Sequence, residues 1–255
     1  MHIRPRHNNA PAAALLLALI VITCPAEAAI ALQQSRVIFN GEKSSASLLV
    51  NNQNQHAPYL AQGWIENEQG KKIHGPLLLL PPIQRIEPGA QSQIKIRGLP
   101  AASLLRQDRE TLFWLNLREI PPRHSSPNTL NIALQNRIKV FYRPAALKAP
   151  PGELATPWHT QLVLEQQGDR LQIRNPSPYY ITLVEAQSRA QGQAVPGFTP
   201  LMLAPAASET LPGKAADYGN TPVLTYLNDY GGRPEIAFRC EARRCSVISN
   251  RVQKG

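Results

Sequence analysis

Thr129-Leu-Asn-Ile-Ala-Leu-Gln-Asn-Arg-Ile-Lys-Val-Phe-Tyr-Arg-Pro144 is the stretch on which the reading of the fold turns. From Leu130 onward, apolar and polar side chains alternate at a period of two, the pattern of a strand with one buried face. Leu130, Ile132 and Leu134 share that face, while Arg137 and Lys139 fall on the other. The pattern predicts one strand from Leu130 to Arg143, well beyond the common length of about 5–6 residues. In an ordinary domain its three leading aliphatic residues would belong to the domain's own core.

The same alternation recurs on both sides, as in Ser47-Leu-Leu-Val-Asn-Asn52 and Gln93-Ile-Lys-Ile-Arg97. Asn40-Gly41, Gln69-Gly70, Glu87-Pro88-Gly89, Gly168-Asp169, Asn175-Pro176 and Tyr230-Gly231-Gly232 supply turns between such segments. With 24 prolines the chain is ill suited to long helices. From Ala29 to about Ala146, strand candidates fall near Arg36, Leu48, Tyr59, Leu77, Gln93, Thr111 and Leu130, a set that predicts an immunoglobulin-like sandwich. A linker is expected between Pro144 and Pro157, around Pro150-Pro151-Gly152. A second sandwich follows from Gln161-Leu-Val-Leu-Glu165 to Cys245-Ser-Val-Ile248. The fold class is therefore all-β, with two immunoglobulin-like β-sandwich domains at 29–147 and 148–255.

Arg4, Arg6, the apolar run Ala12–Ile22 and the small-residue site Ala26-Glu27-Ala28 form a signal peptide, 1–28, with cleavage expected after Ala28. Lipidation at Cys24 is the competing reading, and Thr23 before it argues against that. No later run reaches the roughly 20 apolar residues of a spanning helix, so no membrane insertion is expected. Loss of the leader takes the net charge from +10 to +9, which suits anionic partners. Cys240 and Cys245 then remain, in a compartment where disulfides persist. A disulfide across a hairpin tip is the stronger reading, because a metal site normally draws on three or four Cys or His ligands and no second pair is present.

No catalytic site emerges. His56, His74 and His124 sit among turn residues, His159 lies in no motif, and the chain lacks a Gly-x-Ser-x-Gly elbow, a His-Glu-x-x-His pair and a Gly-rich phosphate loop. Neither an enzymatic activity, a metal nor another cofactor is implied.

Tyr59-Leu-Ala-Gln-Gly-Trp-Ile-Glu-Asn67, Pro81-Pro-Ile-Gln-Arg-Ile-Glu-Pro-Gly89, Asp108-Arg-Glu-Thr-Leu-Phe-Trp-Leu-Asn-Leu-Arg-Glu-Ile-Pro-Pro122 and Lys139-Val-Phe-Tyr-Arg-Pro144 carry more than a period. With Asn175-Pro-Ser-Pro-Tyr-Tyr180, Tyr226-Leu-Asn-Asp-Tyr-Gly-Gly232 and the two cysteines, they make the chain resemble the periplasmic pilus chaperones. That resemblance implies two domains set at an angle with a cleft between them, and a periplasmic location. The first domain would lend its last strand to a pilus subunit, a pilin or adhesin, that lacks one of its own. Leu130, Ile132 and Leu134 would fill the subunit's groove, and Arg36 with Lys139 would anchor its C-terminal carboxylate. Glu110, Arg143 and Asp229 match an interdomain charge cluster. The short Pro121–Asn128 connection resembles the branch that serves rod-like pili. Delivery to an outer-membrane usher, without ATP, is part of what the resemblance implies. Self-association through the same strand would hide its apolar residues when no subunit is bound.

Two other classes are weighed against this. A fibre subunit would be one incomplete sandwich with an N-terminal donor extension, and Ala29–Ser35 is too short for that. A carbohydrate- or nucleic-acid-binding module would need a stacking platform, and aromatic residues make up only 6% of the chain. Nucleic acid is not an expected partner.

Overall fold

The computed structural model describes residues 29–122, 132–147 and 157–251. The expected leader with Cys24, most of the Pro121–Asn128 connection, His124, Leu130 and the Pro150-Pro151-Gly152 linker lie outside them.

The first part folds into β1 (Ile30–Leu32), β2 (Arg36–Asn40), β3 (Ser45–Asn52), β4 (Tyr59–Asn67), β5 (Lys72–Ile73), β6 (Leu77–Leu80), β7 (Ile83–Ile86), β8 (Gln91–Gly98), β9 (Thr111–Ile120) and β10 (Gln135–Arg143). They form two sheets, ordered β1-β3-β8-β6 and β2-β10-β9-β4-β5, with β7 added to β4. The period of two does the layering. Leu48 and Val50 of β3, Ile94 and Ile96 of β8, Phe113, Leu115 and Leu117 of β9, and Val140 and Tyr142 of β10 all point into one core. Each such side chain, fully buried, contributes roughly 1.5–3 kcal/mol.

The N-terminal strand does not stay in one sheet. Ile30–Leu32 pairs antiparallel with β3, and after Gln33-Gln34-Ser35 the chain crosses over so that β2 pairs parallel with β10. Arg36 is the first residue after the crossing. That switch is what brings it to the sheet containing the long strand.

That strand is shorter than its alternation predicts. β10 begins at Gln135, and Ile132, Ala133 and Leu134 run into it without strand pairing. The alternation sets which face each side chain takes, not whether its main chain is paired. The ladder with β9 stops at Gln135, across from Arg118, two residues before β9 itself ends at Ile120, and the Glu119 N–H to Leu134 O bond continues it by one step.

The second part comprises β11 (Val163–Gln167), β12 (Arg170–Arg174), β13 (Ile181–Gln187), β14 (Leu201–Leu203), β15 (Ser208–Thr210), the short helix α1 (Ala215–Tyr218), β16 (Val223–Leu227), β17 (Glu235–Glu241) and β18 (Arg244–Arg251). These strands follow one hydrogen-bonded path, β14-β13-β16-β17-β18-β11-β12-β15. β18 pairs with β17 on one side and reaches β11 on the other through Leu164↔Cys245 and Glu165↔Arg244, so it joins the two layers. Leu164, Ile173, Leu183, Tyr226, Ile236 and Phe238 fill the core between them. Cys240 and Cys245 face each other in the β17–β18 register and are disulfide-bonded across five positions of sequence.

A bridge closing so short a loop removes little entropy from the unfolded chain. Replacing both cysteines by alanine should lower stability in urea by roughly 2 kcal/mol at most. A loss of the whole folded signal would show instead that the bridge holds the β17–β18 hairpin in place.

Candidate functional site

Arg36 and Lys139 are direct neighbours in the parallel β2–β10 register. Their side chains leave the sheet on the face away from the first core, since Lys139 alternates with the core residues Ile138 and Val140. Arg36 is 8% exposed, and its Nη1 donates to the Leu227 carbonyl oxygen of the second domain at 3.2 Å. Its Nε, also buried, has no partner. Among the described residues no carboxylate lies within ion-pair distance of Arg36 or Lys139.

Two cations thus sit side by side, half withdrawn from water. Burial, and then the Arg36 charge, hold the Lys139 ammonium below the ordinary lysine range. Burial lowers Arg36 as well, against the longer-range pull of Asp229 and Glu110. A guanidinium and an ammonium so placed offer a planar fork and a point charge to one carboxylate.

At the far end of β10, Arg143 crosses to the second domain. Its Nε donates to Glu110 Oε1 at 2.8 Å, and Nη1 and Nη2 donate to Asp229 Oδ2 and Oδ1 at 2.6 and 2.9 Å. Glu110 Oε2 accepts from the Tyr180 N–H at 2.8 Å, so one carboxylate ties both domains. Burial pushes the Glu110 carboxyl up to about 7, against the pull of Arg143 and that N–H. The guanidinium lies 5.1 Å from the ring centres of both Trp158 and Tyr179, which stack on each other at 3.9 Å. Phe141 and Tyr180 meet at 5.5 Å and extend the contact between domains.

The loops that present these groups are fixed by asparagines. Asn175 Nδ2 donates to the Tyr179 and Ala204 carbonyls, while its Oδ1 accepts from the Ser177 N–H. Asn228 Oδ1 accepts from the Tyr230 and Gly232 N–H groups, which holds Asp229 toward Arg143. Gly231 sits at φ +83°, and a Cβ there would approach Ser35 Oγ to 3.2 Å, so the loop needs glycine to pass beside the entry to β2.

The leading half of β10 is open. Its register with β2 starts only at Lys139, and among the described residues no strand pairs with Gln135–Ile138 on that side. Leu134 O accepts from Glu119 N at 3.0 Å, so by alternation the main-chain groups of Gln135 and Arg137 face outward. The apolar face continues past the end of the core: Val140 is fully buried, Ile138 half-buried, Leu134 40% exposed and Ile132 63% exposed.

The structure therefore brings Arg36 to Lys139, joins Glu110, Arg143 and Asp229, and leaves Ile132 and Leu134 outside the core. Trp158 and Tyr179 are additions that the sequence pattern did not single out, although Tyr179 lies in Asn175-Pro-Ser-Pro-Tyr-Tyr180. His56 and His74 are exposed, whereas His159 is buried and stacks on Tyr226 at 3.8 Å. Among the described residues no group of His, Cys, Asp and Glu is arranged to hold a metal.

Comparison with known proteins agrees with this architecture. Residues 29–148 match the family described as "Pili and flagellar-assembly chaperone, PapD N-terminal domain", and residues 157–238 match "Pili assembly chaperone PapD, C-terminal domain". The chain is 49% identical to the chaperone protein PapD of Escherichia coli, over 87% of this chain and 91% of that one. It is 40% identical to the probable fimbrial chaperone YfcS of Escherichia coli K12, over 94% of each. Among solved structures, the CupB2 chaperone of Pseudomonas aeruginosa superposes with a TM-score of 0.69 at 27% identity, covering 83% of this chain and 100% of that one. A structure of the SafA pilin of Salmonella enterica in complex with the SafB chaperone also gives 0.69, at 25% identity, covering 85% of this chain and 99% of the matched one.

Two substitutions separate the functions of these cations. In the folded state Lys139 releases its proton more readily than in the unfolded chain, so its charge costs stability at neutral pH. That cost fades as pH rises through the lowered value and is gone above the ordinary lysine range. Lys139→Met should therefore raise the melting temperature at pH 7 and lose the gain above the ordinary lysine range. A fall at pH 7 would contradict the site's being an uncompensated charge. Arg143→Ala strands two carboxylates and should cost about 3–5 kcal/mol in urea unfolding, with part of the loss recovered by Arg143→Met combined with Glu110→Gln.

Proposed function

This chain belongs to the pilus-assembly chaperone family, and we propose that it captures pilus subunits in the periplasm by lending them β10 as a missing strand. The single observation that carries this reading is the pair Arg36 and Lys139, held side by side between the domains with no carboxylate of the described residues within ion-pair distance. A subunit's C-terminal carboxylate, seated there, receives charge-assisted hydrogen bonds from both cations and fixes the register of the chain that follows. The subunit's exposed edge then pairs with the outward main-chain groups of Gln135 and Arg137. Ile132 and Leu134, with Leu130 before them, fill its open groove.

Capping of this kind has a physical purpose. An incomplete sandwich presents an unpaired edge and an open core, both of which aggregate, and a borrowed strand covers them together. The subunit's own folding onto that strand supplies the free energy, so no nucleotide is required. The pilin complex of the SafB chaperone supports subunit binding by this family. The assembly pathway would end with hand-over to an outer-membrane usher, where a subunit exchanges the chaperone's strand for one from its neighbour.

In this scheme residues 1–28 are the export leader, 29–147 the subunit-binding domain and 148–255 the partner domain that forms the other wall of the cleft. The Glu110–Arg143–Asp229 cluster, backed by Trp158 and Tyr179, holds the two domains at the angle that keeps the cleft open. When no subunit is present, a second copy of the chain could cover the edge and the apolar face of β10.

The test is recovery of pilus subunits with the chaperone from periplasmic extracts. Removal of one member of a buried, hydrogen-bonded charge pair costs about 2–5 kcal/mol of binding. Arg36→Ala or Lys139→Ala should thus reduce recovery at least tenfold while the purified variants remain folded. Undiminished recovery by both variants would remove the carboxylate anchor.

A further inference from the structure

The open half of β10 poses a problem of order. Gln135–Ile138 has a neighbour on one side only, and Ile132–Leu134 lies before the paired strand, held to β9 through the Glu119 N–H to Leu134 O bond, so this segment should fray in the free protein. Ordering a residue's backbone costs about 1–2 kcal/mol, and a segment that had to be ordered on each encounter would weaken capture accordingly.

Side chains supply the order that the main chain lacks. Glu119, near the end of β9, is only 5% exposed. Its Oε2 accepts from the Ile30 N–H at 3.0 Å, and its Oε1 accepts from the Leu134 N–H at 3.3 Å. The Glu119 N–H donates in turn to Leu134 O at 3.0 Å, so both main-chain groups of Leu134 are held by one residue. Asn136 Nδ2 donates to Ile30 O at 3.0 Å, which means that Ile30 too is tied through both its groups. On the other face Gln135 Nε2 donates to Asn116 Oδ1 at 2.9 Å. Arg137 lies 3.9 Å from the ring centre of Trp114 and donates to Glu66 Oε2 at 3.1 and 3.2 Å.

The pattern is specific. β1 and the start of β10 run close together, yet they are bridged by a carboxylate and an amide and not by a main-chain ladder, which leaves the outward groups of Gln135 and Arg137 for an incoming strand. Glu119 also takes the inward parity of β9, after Phe113, Leu115 and Leu117, where an acid has no place unless it is fully hydrogen-bonded. It meets that condition by binding the two segments that flank the open edge.

We propose that Glu119 is a positioning residue for subunit capture: its carboxylate ties Ile30 to Leu134 and so holds the leading part of the lent strand extended before any subunit arrives. The inference rests on the reading that β10 is the lent strand. It adds that the strand is preorganised, which moves an ordering cost out of the binding step.

Glu119→Gln tests this with little change of volume, since an amide has one acceptor oxygen and cannot receive both N–H groups. In the free protein, amide hydrogen exchange at Leu134 should accelerate at least tenfold, with core amides such as Leu115 and Val140 unchanged. With the pilus subunit that co-purifies with the wild-type chain as probe, the rate of capture should fall roughly tenfold, as expected when a few residues must order on binding. Unchanged exchange at Leu134, or unchanged capture despite faster exchange, would overturn the proposal. Lys139→Ala, measured alongside, separates the two readings. It should abolish capture without altering exchange at Leu134, and normal capture by that variant would count against the lent strand's anchor instead.

Discussion

Two positive charges placed beside each other, partly out of water, are the constraint on which the rest of this structure depends. Arg36 and Lys139 repel, and burial weakens the hydration that would compensate them. Neither would be kept there for stability. The sheet switch after Leu32 and the parallel β2–β10 pairing enforce the arrangement, because together they set Arg36 opposite Lys139. The carbonyl of Leu227 satisfies one arm of the guanidinium without neutralising it. In the proposed function, a subunit's carboxylate is the group that completes the site.

Everything else along β10 takes its position from that pair. At about 3.3 Å per residue, Leu134 and Ile132 lie roughly 17 and 23 Å from Lys139 along the strand. An anchored chain end would therefore set which subunit residues face the apolar stripe. Four residues in the other direction, Arg143 binds Glu110 and Asp229 and stacks against Trp158 and Tyr179, so the strand proposed to meet a subunit also ties the two domains together. Replacement of that brace by apolar residues could be neutral for stability, as is common for buried ion pairs, and still spoil the cleft by letting the domains move.

The sequence pattern revealed the layers because a half-buried strand must alternate. Leu48, Val50, Ile94 and Ile96 turn inward as their parity requires, and the Gln167-Gly168-Asp169 turn joins β11 to β12. It misplaced the start of β10, since Ile132 and Leu134 keep the parity of Val140 although they lie before the paired strand. Parity says which face a residue takes, not whether its main chain is paired. Arg36, Lys139, Glu110, Arg143 and Asp229 could be singled out only through family resemblance, for each is an isolated charge in its own segment. Trp158 and Tyr179 acquire their contact with Arg143 through the docking of domains, which no local pattern encodes. Glu119 did carry a legible signal, an acidic residue at an inward position of β9, and its meaning appears once Ile30 and Leu134 are seen on either side.

The measurement that bears most directly on the central claim compares one peptide in two forms. A peptide with the C-terminal sequence of the co-purifying subunit would be titrated into the chaperone with a free carboxylate and with a terminal amide. If Arg36 and Lys139 await a carboxylate, the free acid binds at least tenfold more tightly, as expected for a hydrogen-bonded charge pair worth about 2 kcal/mol or more. Equal affinities for the two forms would contradict the account.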